Sequence, residues 1–245
     1  MDVISIIFLI SLGLVAFLYS SVGHGGASGY IAMFALFGMV SPSMKSFVLL
    51  MNLGVASVAF YQYAKHRYFN LKYFLPFGLG ATPMAYLGAS LKIDALFYHY
   101  ILAAFLIFSV IYLLGFFHQF ENRFKINYAS WKAFFIAALI GFISGVTGVG
   151  GGIFLSPILL LLAWGNVKQT AAIAALFIVL NSLAGLIAIN NMVQYISQDL
   201  LLKMIVVLGF GYLGSKWGVK IENTSTLKRM LAFVLLLAAA KLYLA

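Results

Sequence analysis

The chain has 245 residues, of which 64% are apolar and 8% charged. A typical globular domain is roughly 45–50% apolar and about 25% charged, so this chain cannot coat a water-facing surface and reads as a polytopic membrane protein. Fifteen basic residues against five acidic ones leave a net charge of +10, which points to loops facing anionic lipid rather than to nucleic acid. Cysteine is absent from the sequence, which excludes disulfides, thiolate metal sites and cysteine nucleophiles.

Apolar runs bounded by charge or turn residues predict ten segments, at 3–22, 27–40, 44–64, 73–91, 95–117, 131–147, 153–164, 170–189, 200–219 and 227–245. The first follows Met1-Asp2 and precedes any basic residue, the earliest being Lys45. It lacks the charged start of a cleaved signal and is expected to stay in the membrane. Crossing the hydrocarbon core takes about 20 residues, and the second and seventh segments fall short of that. Each follows a glycine cluster, Gly23-His24-Gly25-Gly26 and Gly148-Val149-Gly150-Gly151-Gly152.

Basic residues decide how the short segments count. If each forms a hairpin with the helix before it, eleven basic residues fall on one face, among them Lys65, Arg67, Lys72, Arg123, Lys125 and Lys168. Lys45, Lys92, Lys203 and Lys241 fall on the other. Treating the short segments as re-entrant after a full crossing splits the same residues eight to seven. The positive-inside rule favours the hairpins. Residues 65–72, 118–130 and 220–228 are then cytoplasmic, and both termini are not.

The chain also repeats. Gly23-x-Gly25-Gly26 returns as Gly148-x-Gly150-Gly151, and Tyr86-Leu87-Gly88 as Tyr212-Leu213-Gly214. The two motifs are 63 residues apart in the first half (23 to 86) and 64 in the second (148 to 212). Leu102-Ala103 and Leu231-Ala232 match in the last segment of each half. Five segments per half is an odd number, so the halves are expected to be inverted relative to each other. The expected fold is an all-α integral membrane protein of two inverted-topology repeats, 1–117 and 130–245, joined by a cytoplasmic linker at 118–129. Inverted repeats with interrupted helices are the pattern of secondary transporters, with the site between the repeats near the midplane.

Glycines at a helix break admit positive φ and let the backbone approach a ligand closely. A helix that starts inside the membrane has first-turn amides without intrahelical partners, and these attract an anion together with the positive end of the helix dipole. Short helices starting near Ala27 and Ile153 would act so from opposite halves, with Ser20, Ser21, Ser28, Ser144 and Thr147 as possible further donors. The candidate substrate-binding set is Ser21, Gly23, His24, Gly25, Gly26, Ser28 and Asn52 from the first half. From the second it is Thr147, Gly148, Gly150, Gly151, Gly152, Asn181 and Ser182.

Each candidate has a plainer reading beside the functional one. The glycine clusters could serve helix packing, as the spacing of Gly141-x-x-x-Gly145 and Gly214-x-x-x-Gly218 does. His24, whose counterpart is Val149, could be a hydrogen-bonded structural residue or could donate to an anion or carry a proton. Asn52 and Asn181-Ser182 lie mid-span, as interhelical hydrogen bonds or as pocket lining. Tyr86 and Tyr212 read as packing anchors, and Lys216 and Lys220 as side chains reaching the cytoplasmic surface.

The glycine-rich breaks, Ser21-Val22-Gly23-His24-Gly25-Gly26 and Ser144-Gly145-Val146-Thr147-Gly148-Val149-Gly150-Gly151-Gly152, resemble those of the TauE/SafE (sulfite exporter, TSUP) family of bacterial membrane permeases. The second-half sequence on through Ser156-Pro157 and the later Tyr-Leu-Gly turn resemble it too, and the likeness covers essentially the whole chain. It implies a multi-pass inner-membrane protein that transports, and most simply exports, sulfite or small sulfur-containing organic anions. No cofactor is implied, and the expected partners are a small anionic substrate and the lipid bilayer.

Other classes fit less well. For an intramembrane enzyme, no HExxH helix, P-loop or GxSxG elbow occurs, which leaves His24 with a nearby serine as the one conceivable nucleophile pair. The five acids, Asp2, Asp94, Glu121, Asp199 and Glu222, all sit at predicted segment ends. A passive anion channel is the main alternative, since donor-lined pores also select anions.

Overall fold

The computed structural model describes residues 3–39, 44–91, 128–162, 164–189 and 198–221, with isolated helical positions at 100, 104, 107 and 111. The expected segments at 95–117 and 227–245, with the Leu-Ala matches inside them, lie essentially outside the described residues, as does most of the linker. The described residues form eight α-helices and no strand. They are α1 (Val3–Ser20), α2 (Ala27–Leu36), α3 (Met44–Lys65), α4 (Leu71–Ser90), α5 (Ser130–Thr147), α6 (Gly152–Leu161), α7 (Val167–Ile189) and α8 (Gln198–Lys220). Of these, α1, α3, α5, α7 and the Leu200–Lys220 stretch of α8 are long and apolar enough to cross a membrane. Large apolar side chains such as Ile4, Leu79, Leu139 and Ile205 are exposed, which suits a surface solvated by lipid.

Both interrupted stretches are terminated by glycine. Gly148 closes α5 with φ 74° and donates its N–H to Ser144 O at 2.8 Å. Gly26 and Gly151 stand as N-caps of α2 and α6 with φ 101° and 78°, a left-handed conformation that side chains other than glycine rarely adopt. The two short helices then run back beside the helices that precede them. The Phe8 ring of α1 lies 5.3 Å from that of Phe34 and 5.1 Å from that of Phe37, at the far end of α2. Trp164, beyond α6, lies 5.3 Å from Tyr128, just before α5.

The helices associate in pairs that correspond between the halves. α4 packs on α5 as α1 packs on α8, and α4 on α7 as α3 on α8. α6 packs on α7 as α2 on α3, while α3 meets α7 directly. Small residues bring the long pairs to backbone contact, as the GxxxG spacing predicts. A Cβ on Gly141 or Gly145 would run into the carbonyls of Ala81 or Ala85, and one on Gly214 or Gly218 into those of Phe17 or Ser21.

The Tyr-Leu-Gly motif differs from its expected reading. It lies inside α4 and α8 rather than at a turn, and Tyr86 and Tyr212 are 45% and 44% exposed. The glycine makes the packing contact instead: a Cβ on Gly88 would meet Phe142 O of α5. At about 100° per residue, the one orientation that puts this glycine against its partner swings the preceding leucine and tyrosine outward.

Candidate functional site

The two glycine breaks meet. A Cβ added to Gly25 would fall on Asn52 Oδ1, and one on Gly150 would fall on Asn52 Nδ2. Equivalent glycines of the two halves therefore press on opposite sides of one carboxamide. Asn52 Oδ1 accepts from Ala27 N at 3.1 Å, at the start of α2. Its Nδ2 donates to Ser182 Oγ of α7 at 2.9 Å. A backbone N–H can only donate, so this fixes which end of the amide is which. Asn52 is the ninth of 22 residues in α3 and Ser182 the sixteenth of 23 in α7, which sets the junction in the middle of two membrane-length helices.

His24 adds a second tie across the halves. Its Nε2 lies 2.8 Å from Ser156 Oγ and 3.2 Å from Gly152 O, both in α6. The side chain is 5% exposed, and a Cβ on Gly152 would sit 3.3 Å from its Cδ2. Ser28 pairs with Tyr19 Oη at 2.7 Å. These groups surround a cavity of about 10 Å³ lined by Tyr19, His24, Gly25, Gly26, Ala27, Ser28, Asn52, Val149, Ile153 and Ile178. That is room for about one water, so the centre is closed around its own side chains.

Two buried polar atoms at the breaks have no hydrogen-bond partner. One is the Tyr30 hydroxyl, which lies against Gly26: a Cβ there would be 2.8 Å from it. The other is Asn181 Oδ1, whose own Nδ2 reaches Gly150 O at 3.5 Å. A group of this kind is left for water or a ligand. No Asp or Glu occurs anywhere in α1 to α7, and no cluster of metal-ligating side chains occurs among the described residues.

Not every candidate joins this centre. The structure groups His24, Gly25, Gly26, Ser28, Asn52, Gly150, Gly152, Asn181 and Ser182. Ser21 Oγ donates back to Leu18 O at 2.7 Å, and its carbonyl accepts from Tyr63 Oη at 2.9 Å. Thr147 Oγ1 donates to Ile143 O at 2.9 Å. Both hydroxyls are thus spent on carbonyls, the usual behaviour of serine and threonine in an apolar helix. Gly23 abuts Ala171, and Gly151 abuts Phe177 and Ser144. Gly148 lies under the Lys45 side chain, whose Nζ donates to Val146 O at 3.2 Å and so caps the C-terminal end of α5.

Tyr30, Tyr19 and Ser156 are the residues that sequence reasoning left out of the site. Ser156 stood in the stretch that carries the family resemblance, but nothing marked it as a partner of His24; the tyrosines carried no signal, because tyrosine is common in such helices.

A family model described as sulfite exporter TauE/SafE matches residues 7–242. A probable membrane transporter protein of Sinorhizobium fredii is 32% identical over 246 residues, covering 99% of each chain. A probable membrane transporter protein of Methanocaldococcus jannaschii is 27% identical over 197 residues, 75% of this chain and 70% of the relative. No solved structure matches.

Proposed function

Because the chain belongs to the sulfite exporter TauE/SafE family of membrane transporters, we propose that it is a secondary transporter carrying small sulfur-containing anions, sulfite or small organosulfonates, outward across the inner membrane. The observation that carries this reading is the convergence of two short-helix N-termini, one from each half, on Asn52 at mid-span. First-turn amides and the positive ends of two helix dipoles favour an anion there. Among the described residues, the seven helices α1 to α7 hold no carboxylate to repel it.

The corresponding helix contacts in the two halves support an inverted repeat, and the distribution of basic residues favours termini outside the cytoplasm. The anion would bind between the breaks, held by the amides at the starts of α2 and α6. The Tyr30 hydroxyl is a further donor, and His24 and Asn52 adjust around it. A space for one water suits a carrier that closes on its cargo better than a passive channel, which needs a continuous path. Binding would therefore separate the two breaks and loosen the ties that cross from one half to the other. The resting centre is then one state of an alternating cycle.

Counterflow in proteoliposomes tests the reading. Trapped unlabelled sulfite should drive accumulation of radiolabelled sulfite, with small sulfonates competing. Ohmic current without counterflow would assign a channel instead. Flux of neither kind, for any of sulfite, sulfate, thiosulfate or small sulfonates, would remove the transport of sulfur anions from the reading.

A further inference from the structure

A second cavity, of about 200 Å³, lies among Tyr68, Asn70, Tyr73, Trp164, Gln169 and Ile173. Its polar lining presents donors. Asn70 Oδ1 is occupied as the N-cap of α4, accepting from Tyr73 N at 3.3 Å. Gln169 Oε1 accepts from Asn166 N at 3.1 Å, and Asn166 Oδ1 accepts from Gln169 N at 2.9 Å, a reciprocal capping box at the start of α7. Each carbonyl oxygen accepts from a backbone N–H, which fixes the orientation of each carboxamide and leaves its NH2 as the side-chain donor. The Tyr73 hydroxyl donates to Trp164 O.

Among the described residues, the charges that adjoin this mouth are basic. Lys168 Nζ stands 5.5 Å from the centre of the Tyr68 ring. Arg67 and Lys72 adjoin Tyr68 and Tyr73 in sequence, and no acid occurs between 65 and 73 or between 164 and 170. Thr170, 2% exposed in the first turn of α7, keeps a hydroxyl with no protein partner. The rest of the wall is apolar and largely flat: Tyr68, Tyr73, Trp164 and Ile173.

We propose that this cavity is a second binding site, taking a small organic anion whose sulfonate or carboxylate head meets the Asn70 and Gln169 NH2 groups and whose short body lies on the aromatic rings. It is separate from the Asn52 centre, and it has space for a whole organic anion where that centre has space for one water. The mouth lies at the end of the bundle where residues 65–72 and 164–169 come together. On the transport reading above it is where cargo is captured before it enters. The same head chemistry occurs in free organic anions and in lipid headgroups; the proposal is the free anion.

The test uses the full chain in zwitterionic detergent. Trp131→Phe and Trp217→Phe leave Trp164 as the single tryptophan of the three. Benzenesulfonate should quench it saturably, while the neutral benzenesulfonamide should not. Gln169→Glu keeps the capping box, since glutamate accepts the same Asn166 N–H, but replaces the NH2 donor by a negative charge. It should weaken benzenesulfonate binding by at least about tenfold, an effect of about 1.4 kcal/mol. Asn70→Asp keeps its cap likewise and should act in the same direction. Equal quenching by both ligands, or unchanged affinity in both variants, overturns the proposal. Quenching by phosphatidylglycerol micelles that benzenesulfonate does not reverse overturns it too, by assigning the cavity to a lipid headgroup. Trp164 quenching that persists in Gly25→Leu keeps this site apart from the central one, so either can fail alone.

Discussion

Replacing Asn52 by Asp changes the charge at the junction of the two breaks and little else. The two side chains are nearly the same size. The carboxylate can still accept from Ala27 N, now 3.1 Å from Oδ1, and its second oxygen can accept the Ser182 hydroxyl, 2.9 Å from Nδ2. An anion held by the starts of α2 and α6 would sit roughly 5 Å from the new charge, and at an effective dielectric of about 20 the repulsion is about 3 kcal/mol. That is a loss of about a hundredfold in affinity.

Scintillation proximity with radiolabelled sulfite on purified protein reads the change directly. Lowering the pH should restore part of the binding, because protonation removes the introduced charge. Because α2 keeps its cap, the thermal midpoint in detergent should move far less than in Asn52→Ala, which leaves two buried partners unpaired at about 1–3 kcal/mol each. A stable Asn52→Asp protein that binds sulfite as tightly as the parent at neutral pH would refute the placement of the anion between the breaks.

Leu at Gly25 or Gly150 should abolish sulfite binding while membrane insertion persists. Gly209, with nothing within 4 Å of an added Cβ, is the control, whereas Gly218 would collide with Ser21 O and part α1 from α8; sulfite binding equal to the Gly209→Leu control in both cluster variants would take the glycines out of the site. Asn122→Cys should resist external labelling in intact cells, since the chain has no native cysteine and the basic linker is expected to be cytoplasmic; labelling by a membrane-impermeant reagent would reverse the orientation. Efflux should be electrogenic, since outward movement of one negative charge from a negative interior releases about 2.3 kcal/mol per 100 mV, roughly a fifty-fold gradient. Flux that ignores a potential clamped by potassium and valinomycin, follows a pH gradient and loses that response in His24→Ala would mean proton coupling through His24.

What the sequence made legible was what single residues determine. Among the described residues, apolar runs marked the helices, and glycine marked the starts of α2 and α6, because Gly26 and Gly151 occupy backbone conformations that other residues rarely take. The start of α2 fell at Ala27 and that of α6 one residue before Ile153. What stayed hidden were the partners. Asn52 meets Ser182 across 130 residues of chain, His24 meets Ser156 across 132, and Lys45 meets Val146 across 101.

In a soluble helix an apolar stripe would tell which face turns inward. Here lipid-facing and buried faces are both apolar, so the sequence carries no such stripe. For the same reason Tyr86 looked like an anchor when Gly88 is the contact. Ser21 and Thr147 lie in sequence beside the breaks, but each hydroxyl donates to a carbonyl of the helix before its break, a turn that sequence order does not reveal.

The proposed centre is matched in its backbone and unmatched in its side chains, and the two properties suit different parts of the task. Gly25 and Gly150 take equivalent places on either side of Asn52, so amides and dipoles from both halves converge on one point. On the proposed reading that arrangement would recognise negative charge without regard to what carries it, since backbone groups supply the attraction and no side chain need titrate. Around it the lining is one-sided. His24, bonded to Ser156, stands in the first break where the second has Val149, and the Tyr30 hydroxyl lies against Gly26 while Asn181 serves Gly150. A sulfur oxyanion with an organic group or a proton on one side is itself unsymmetrical, and an unsymmetrical lining can distinguish its ends. On the proposed reading, charge selection would rest on the two glycine clusters, and the choice among anions on residues that the clusters do not share.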